Sequence, residues 1–260
     1  MNASGRFGMR VHQTVSFSRP MMQIPRADAV FFPGCALLNY DPVLLQRVLS
    51  LLRREEPELK IAVGCCGHPT RYLEPARLAR RTGALRRLFV QSGVQRIYTA
   101  CPNCARELTE LQCASVIPVW GTLDRVAGPD DFVNQENHAF ALHDPCPVRQ
   151  DRAQQDAVRA LLLKANAAVA EFPKNRETTA CCGNLAMLRA IDPDKSAAMR
   201  AGRLDEISPD LPITSYCAGC VDAFRSAKHD ALHLVELLFG KSKSRGWGNR
   251  IQNTILSRKE

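Results

Sequence analysis

The chain has 260 residues, of which 45% are hydrophobic, and a formal net charge of +9 at pH 7. Its apolar runs fall short of the roughly 18 residues that a membrane-spanning helix needs, and its N-terminus lacks the uninterrupted apolar core of a secretory signal. We therefore expect a cytoplasmic protein. Aromatic residues make up only 6%, and nucleic-acid binding usually combines a basic surface with stacking aromatics, so nucleic acid is excluded as a partner.

The positive charge is concentrated at the two ends of the chain. Residues 1–28 carry a net charge of +3 and residues 241–260 carry +5, whereas residues 29–240 carry only +1. We define the first segment as a basic N-terminal extension and the second as a basic C-terminal tail. Both are predicted to be solvated termini. Docking on an acidic partner or on anionic lipid is the alternative for such segments.

Short apolar runs alternate with helical patterns in the first part of the chain. The predicted strands are 29–32, 60–64, 96–100 and 115–119, and the predicted helices are 42–54, 74–93 and 102–112. Residues 127–137 are polar and contain a Gly-Pro turn signal, so they are predicted to be a linker. The sequence thus predicts a first domain over residues 29–126.

The second part of the chain, 138–240, repeats this order and is predicted to be a second domain. It reads as strand 138–143, helix 154–168, a less regular segment 168–180, helix 193–207, strand 212–216, helix 218–227 and an apolar run 231–238. Alternating strands and helices are typical of α/β folds with parallel sheets. We predict two pseudo-symmetric tandem units, each a small, mainly parallel sheet with flanking helices.

Ten of the eleven cysteines form the pattern C…CC…CxxC twice. The first set is Cys35, Cys65, Cys66, Cys101 and Cys104, and the second is Cys146, Cys181, Cys182, Cys217 and Cys220. In both sets 34 residues separate the adjacent pair from the CxxC motif, and the first gap is 29 residues in one set and 34 in the other. Such an internal repeat indicates two similar structural units. Only Cys113 stands apart, and it is predicted to be an ordinary core residue.

The predicted strands place these cysteines at one edge of each sheet. Five cysteines directly follow a predicted strand, namely Cys35, Cys65, Cys101, Cys146 and Cys217, and Cys181 follows the less regular segment. Ligands gather at the carboxyl ends of strands in open α/β sheets. Each CxxC motif lies where a helix begins, and the positive end of the helix dipole favours thiolate over thiol. Gly67 and Gly183, directly after the adjacent cysteines, permit a turn.

Cysteines at this density in a cytoplasmic chain indicate metal or redox chemistry, because disulfides are rare in that compartment. Thiolates bind iron–sulfur clusters and structural zinc. A zinc ion or an ordinary cubane cluster takes four ligands, so five per set predict an unusual cluster, a cluster with a free thiol, or a spare residue. Two zinc sites, or one cluster site with one zinc site, remain open as alternatives.

No catalytic residue is assigned, and two histidines near the motifs receive two interpretations each. His68 is either a donor to a cluster or leaving thiolate, or a solvent-facing turn residue. His143 is either a hydrogen-bond donor behind the metal ligands or a strand-end residue satisfied by backbone. His233 is predicted to be a core or strand-edge histidine. Asp144 and Gly34 are expected to shape the turns before the first cysteine of each set.

The two motifs, with GCCG at 64–67 and ACCG at 180–183, resemble the cysteine-rich CCG domain proteins. The resemblance covers residues 29–240 and is strongest to the CCG-domain subunit of heterodisulfide reductase and its relatives. It implies one noncubane 4Fe-4S cluster held by each five-cysteine set. In that family the paired clusters cleave a substrate disulfide. The first gap is shorter than the family's usual one, which leaves open a rearranged first site.

The resemblance implies an oxidoreductase subunit that relays electrons through two clusters. The chain has no ferredoxin-type CxxCxxCxxxC motif, so its expected partner is a redox protein, either a flavoprotein or a ferredoxin-like subunit. A small thiol or disulfide is the expected substrate if the chain acts as a reductase. Two alternatives are a relay to quinone, with the chain held at the inner face of the membrane only through a partner, and a zinc-stabilised scaffold without a redox role.

Overall fold

The computed structural model describes residues 3–133, 135 and 138–258, with side chains from residue 7 onward. The chain divides into two compact units. The first unit contains residues 3–119 together with 242–258, and the second contains residues 120–241.

Eight strands and twelve α-helices make up the two units in the described part of the chain. The strands are β1 (Ala29–Phe31), β2 (Lys60–Ile61), β3 (Arg96–Thr99), β4 (Ser115–Pro118), β5 (Ala139–His143), β6 (Ala168–Glu171), β7 (Ile213–Ser215) and β8 (Ala231–His233). The helices are α1 (Ala3–Ser16), α2 (Pro42–Leu52), α3 (His68–Leu73), α4 (Leu78–Gln91), α5 (Pro102–Thr109), α6 (Val119–Val126), α7 (Arg152–Lys164), α8 (Leu188–Ile191), α9 (Pro193–Leu204), α10 (Ala218–Ser226), α11 (Leu234–Phe239) and α12 (Trp247–Leu256).

The predicted α/β fold is confirmed, and the two units share one topology. The first sheet has the strand order β2-β1-β3-β4 and the second has the order β6-β5-β7-β8. All the paired strands within these two sheets run parallel. Of the four inner strands, β1 and β7 are buried at every position and β3 and β5 at every position but the first, as expected for parallel strands covered on both faces.

The helices that follow the first strand of each unit begin at comparable signals. Asp41 precedes α2 and its carboxylate accepts a hydrogen bond from the backbone N–H of Val43, while Pro42 occupies the first turn. Asp151 precedes α7 and accepts from the backbone N–H of Gln154. Such N-caps satisfy donors that a helix start leaves unpaired. The apolar faces of both helices are buried.

Several element boundaries differ from the predictions. The predicted helix 74–93 is a 3-10 turn followed by α4, and α3 precedes it. The less regular segment 168–180 begins with β6, while the run 231–238 divides into β8 and α11. Within the predicted linker, Asn134, Glu136 and Asn137 lie outside the described residues.

The two basic ends form helices that belong to the first unit. Arg250 of α12 is fully buried; its Nη1 lies 2.9 Å from His12 Nε2, and its Nη2 donates to Ser16 Oγ at 2.9 Å. Asn253 Nδ2 donates to the backbone carbonyl of Leu38 at 3.0 Å. The prediction of solvated termini is therefore wrong for α1 and α12. No helix in the described ranges is both long enough and apolar enough to cross a bilayer.

Candidate metal centres

The cysteines lie at the carboxyl edge of each parallel sheet, as predicted. In the first unit, Cys35, Cys65 and Cys101 follow the ends of β1, β2 and β3, and in the second, Cys146 and Cys217 follow β5 and β7. The adjacent pair of the second unit is reached from β6 through an irregular segment instead. Because parallel strands end at the same edge, segments distant in sequence deliver their thiols to one place.

The first set forms a continuous chain of thiol contacts. Cys35 interacts with Cys65, Cys65 with its neighbour Cys66, Cys66 with Cys104, and Cys104 with Cys101, since the thiols of each pair shift one another's pKa. All five are free thiols rather than disulfides. The structure therefore brings the five predicted residues together.

The second set forms the same chain in the same order. Cys146 interacts with Cys181, Cys181 with Cys182, Cys182 with Cys220, and Cys220 with Cys217. The Sγ atoms of Cys182 and Cys220 are 3.1 Å apart, and all five thiols are free. Position by position the order matches the first set, so the shorter first gap leaves the arrangement of the first site unchanged.

Each site has one strongly acidic thiol, and in the second unit it is Cys181. Hydrogen bonds from the thiols of Cys146 and Cys182 stabilise its thiolate and lower its pKa to about 2 although burial opposes ionisation. The backbone N–H of Gly183 also donates to its Sγ at 3.3 Å. The same contacts raise the pKa of Cys146 and of Cys182.

In the first unit the corresponding residue is Cys65. Hydrogen bonds from Cys35 and Cys66 hold the pKa of Cys65 well below its usual range, against the effect of burial, and the backbone N–H of Gly67 contributes in the same direction. The first cysteine of each adjacent pair is thus the preferred thiolate. This property is built into the repeated CCG turn, whose glycine N–H points back at that sulfur.

The CxxC motifs begin helices, as the sequence indicated. Cys101 is the N-cap of α5 and Cys217 is the N-cap of α10, which places Cys104 and Cys220 in the first turns. The pKa of Cys101 is lowered by the Cys104 thiol and by the backbone N–H groups of Cys104 and Asn103. Unpaired N–H groups at the start of α5 therefore stabilise negative charge on the Cys101 sulfur.

Two glycines allow the close approaches that the sites require. Gly183 has φ of +87°, and a Cβ there would lie 2.3 Å from the Ser196 carbonyl oxygen. Gly34 has φ of +83°, and a Cβ there would lie 2.9 Å from Cys104 Sγ. Backbone with positive φ favours glycine, and here a side chain would also collide with its surroundings. Gly34 confirms the expected turn-shaping role before the first cysteine.

His68 is buried, so the prediction of a solvent-facing turn residue is wrong. Its Nδ1 lies 3.0 Å from Glu107 Oε1, and Arg71 donates to Glu107 through Nε and through Nη2 at 2.8 Å. Burial raises the pKa of Glu107, but the hydrogen bonds from His68 and Arg71 outweigh it and hold the pKa at about 2. Sequence analysis missed Glu107, because only the packing of α3 on α5 creates this group.

Asp144 supports the loop before Cys146 and has a structural role, as predicted. It is fully buried, and it accepts hydrogen bonds from Arg159 Nη2 at 2.8 Å, Tyr216 Oη at 2.8 Å and the backbone N–H of Arg176 at 3.0 Å. Burial opposes its ionisation, yet these donors hold the pKa of Asp144 below its usual value.

The two remaining histidine predictions have different outcomes. His233 is buried at the start of α11, where its Nδ1 accepts from the backbone N–H of Val235 at 3.2 Å, which confirms a core histidine. His143 is fully buried, and Arg203 Nε, rather than backbone, donates to its Nδ1 at 3.3 Å. The prediction of a backbone-satisfied residue is therefore wrong for His143.

Residues that lack a metal-binding motif also reach the sites. Gln13 of α1 donates from Nε2 to Cys65 Sγ at 3.4 Å, and its Oε1 accepts from Thr70 Oγ1 at 2.6 Å. No sequence signal connects position 13 with position 65, so this contact was missed. Cys113 is half-buried and packs against the apolar core of the first unit, in agreement with its prediction as an ordinary residue.

The donor sets fit thiolate-bound metal centres. Each unit presents five unbridged, mostly buried sulfurs together with backbone N–H groups that stabilise thiolates, and thiolates are the ligands that iron–sulfur clusters and zinc take from proteins. In the second unit, a ring nitrogen of His143 and the Sγ atoms of Cys182 and Cys220 lie within 4.8 Å of one another. Both units thus have the chemistry of a metal site.

Comparison with known proteins identifies the family of this chain. A comparison with curated proteins gave no match. Among solved structures, an ABC transporter system solute-binding protein from Conexibacter woesei DSM 14684 is 13% identical with a TM-score of 0.25, over 86% of this chain and 72% of that chain; so weak a likeness carries no argument. The cysteine-rich CCG domain matches residues 29–109 and 140–225. The chain belongs to the cysteine-rich CCG domain family and contains the domain twice.

Proposed function

We propose that this protein is an iron–sulfur oxidoreductase subunit that relays electrons through two clusters, one in each unit. The observation that carries the proposal is the repeated chain of five free thiols in the same contact order. Tetrahedral zinc and a cubane cluster each use four protein ligands. Five sulfurs per site favour the noncubane 4Fe-4S cluster that the resemblance to the CCG-domain subunit of heterodisulfide reductase implies.

The ligands of the first cluster would be Cys35, Cys65, Cys66, Cys101 and Cys104, and those of the second would be Cys146, Cys181, Cys182, Cys217 and Cys220. When bound, such clusters supply reversible one-electron transfer. The chain's own groups would hold the thiolates in place, donate backbone N–H groups to the sulfurs and keep most of them away from water. The same thiolates could instead bind zinc, and a zinc-stabilised scaffold without a redox role is the alternative to be tested.

The proposed partner is another redox protein, either a flavoprotein or a ferredoxin-like subunit. A relay exchanges electrons with a donor and an acceptor, and the groups proposed to carry them here are the two cysteine sets. Direct reduction of a small disulfide is a second candidate. It is favoured by the partial exposure of Cys35 and Cys146, the first cysteine of each set, which leaves one side of each site accessible. Relay to quinone through a membrane-bound partner is the remaining version of this proposal.

The first test is the metal content of protein purified without oxygen. We expect about eight irons and as many acid-labile sulfides per chain, four for each cluster, with a paramagnetic signal in one oxidation state. Stoichiometric zinc without sulfide at both sites would contradict the proposal and support the scaffold.

A second test separates the relay from the disulfide reductase. A relay accepts electrons from a reduced flavoprotein or ferredoxin, and its paramagnetic spectrum is unchanged by small thiols. A reductase binds a substrate sulfur at a cluster, so a suitable thiol perturbs the spectrum of the oxidised protein. Absence of reduction by protein donors, together with a thiol-sensitive spectrum, would reject the pure relay.

A further inference from the structure

His143 lies at the end of β5 beside the second cysteine set. It is fully buried, and its ring packs edge-on against Phe224, with centroids 5.1 Å apart. One of its ring nitrogens and the Sγ atoms of Cys182 and Cys220 lie within 4.8 Å of one another. The imidazole is therefore held in a fixed position next to two of the five sulfurs.

Arg203 determines which ring nitrogen carries the proton. Its Nε donates to His143 Nδ1 at 3.3 Å, and a guanidinium has five N–H donors but no acceptor. The guanidinium is itself fixed, because it stacks 3.7 Å from the centroid of the Phe172 ring and donates to the Lys174 carbonyl at 2.8 Å. The Nδ1 lone pair is thus engaged, and the single N–H of the neutral imidazole is on Nε2.

The Nε2 atom of His143 is buried and has no hydrogen-bond partner among the residues that the structure describes. A buried donor without an acceptor is costly, and such exceptions in native proteins need an explanation. Metal ligation by Nε2 is not that explanation. It would move the proton to Nδ1 and set it against the N–H of Arg203. The nearby sulfurs of Cys182 and Cys220, by contrast, are acceptors.

We propose that His143 donates its Nε2–H to a sulfur of the second metal centre and is a positioning residue rather than a ligand. The proposal rests on the iron–sulfur function proposed above. Hydrogen bonds to cluster sulfurs stabilise the more negative, reduced state, and they are among the factors that set the reduction potential. His143 therefore makes the second cluster easier to reduce than its cysteine ligands alone would.

The first unit has a different donor in a different place. Aligning FFPGC (31–35) with LHDPC (142–146) puts Phe32 at the position of His143, and phenylalanine offers no polar hydrogen. The donor in the first unit is Gln13 of α1, which reaches Cys65 Sγ at 3.4 Å. Two sites with the same ligands thus receive side-chain hydrogen bonds from unrelated segments, and we expect their potentials to be set independently.

The test compares reduction potentials in anaerobically purified His143→Phe, His143→Gln and Gln13→Met proteins. His143→Phe reproduces the first unit's residue and removes the donor, so the midpoint potential of the second cluster should become more negative while the first stays unchanged. His143→Gln keeps an N–H and should restore part of the shift. Gln13→Met should shift only the first cluster. His138→Gln, an exposed histidine of the same unit, is the control that changes neither.

Signals are assigned with variants in which only one CxxC motif is replaced by serine. An unchanged second potential in iron-loaded His143→Phe protein overturns the proposal. Protein without iron and sulfide would instead overturn the proposed function, so the two failures are distinguishable.

A measurement on the unsubstituted protein does not depend on how the variants fold. Pulsed electron paramagnetic resonance of protein labelled with ¹⁵N-histidine should show weak nitrogen coupling to the second cluster, with an exchangeable deuteron after transfer to D₂O. Strong coupling, as from a directly bound imidazole, would make His143 a ligand, and no coupling would place its N–H away from the cluster. Either result rejects the proposal.

Discussion

The two cysteine sites have the same scaffold and different surroundings. In both, five thiols contact one another in the same order at the edge of a four-stranded parallel sheet. Outside the motif the first site receives a hydrogen bond from Gln13, whereas His143 lies beside the second. The repeat therefore fixes the ligands, while residues that the repeat does not constrain give each site its own environment.

The buried carboxylates show the same contrast. In the first unit, Glu107 of α5 binds His68 and Arg71. In the second, Asp144 lies in the loop before Cys146 and binds Arg159 and Tyr216. Each unit thus holds a charged group near its cysteine edge, but at unrelated positions of the fold. The two units therefore share the positions of their cysteines but not the positions of these buried carboxylates.

The largest expected effect comes from removing one CxxC motif. Replacing Cys101 and Cys104 with serine should abolish the first metal centre and halve the iron content, because each unit supplies its own ligands. Replacing Cys217 and Cys220 should do the same to the second centre. Iron and sulfide analysis with paramagnetic spectra measures both. Loss of all iron from either folded variant would show that one site spans the two units. The two cysteine sets would then not form independent metal centres.

The next effect is on stability and tests the two carboxylates. Asp144→Asn removes the fully buried charged partner of the largely buried Arg159, which keeps its ion pair with the more exposed Glu171. It should lower the free energy of unfolding by about 3 kcal/mol, since breaking a buried pair is strongly destabilising. Glu107→Gln should cost about 2 kcal/mol, less because Arg71 is 30% exposed. Denaturant titration at pH 7 compares them. Glu110→Gln, which removes an exposed partner of the same Arg71, is the control and should change stability little.

The contribution of Glu107 to stability should also depend on pH. Its pKa is about 2 in the folded protein against an ordinary 4.5, so the depressed value stabilises the fold fully above about pH 4.5 and the stabilisation declines as pH falls toward 2. Between pH 7 and pH 4 the stability difference between the unsubstituted protein and Glu107→Gln should narrow by about 1 kcal/mol. A difference that stays constant over this range would contradict the assigned pKa.

Backbone strain and steric clash distinguish the two glycines after the cysteine pairs. Gly183→Ala should destabilise by about 3 kcal/mol, because positive φ is strained for alanine and its Cβ would lie 2.3 Å from the Ser196 carbonyl oxygen. Gly67→Ala, also at positive φ, meets its nearest atom, Thr82 Cγ2, at 3.4 Å, and should cost about 1 kcal/mol. Thermal unfolding measures the loss of stability in each variant. Equal losses would show that the strain of positive φ accounts for both and that the clash with Ser196 adds nothing.

The smallest effect is expected at the cysteine outside the repeat. Cys113→Ala should leave the iron content unchanged and cost under about 1.5 kcal/mol, as a small apolar change at a half-buried position. Iron analysis and thermal unfolding measure both. A loss of iron would show that Cys113 is a sixth thiol of the first site, which would then differ from the second site in its ligands.

The repeat made much of the site predictable. The spacing C…CC…CxxC, the strand pattern before five of the cysteines and the glycines after the pairs were enough to place all ten thiols at the sheet edges. The terminal helices were not predictable in the same way. Their arginines and polar residues indicate solvated segments, yet Arg250 is fully buried because His12 and Ser16 meet its guanidinium.

The sequence by itself determined the α/β fold, the division into two similar halves and the grouping of the cysteines, because these depend on local periodicity and on repeated spacing. Tertiary structure alone decided the contacts between distant segments: Gln13 on Cys65, Glu107 on His68 and Arg203 on His143. The sequence does not show which partner a polar side chain will contact in the folded protein. Its protonation, hydrogen bonding and burial are set only when folding brings the partner within about 3 Å.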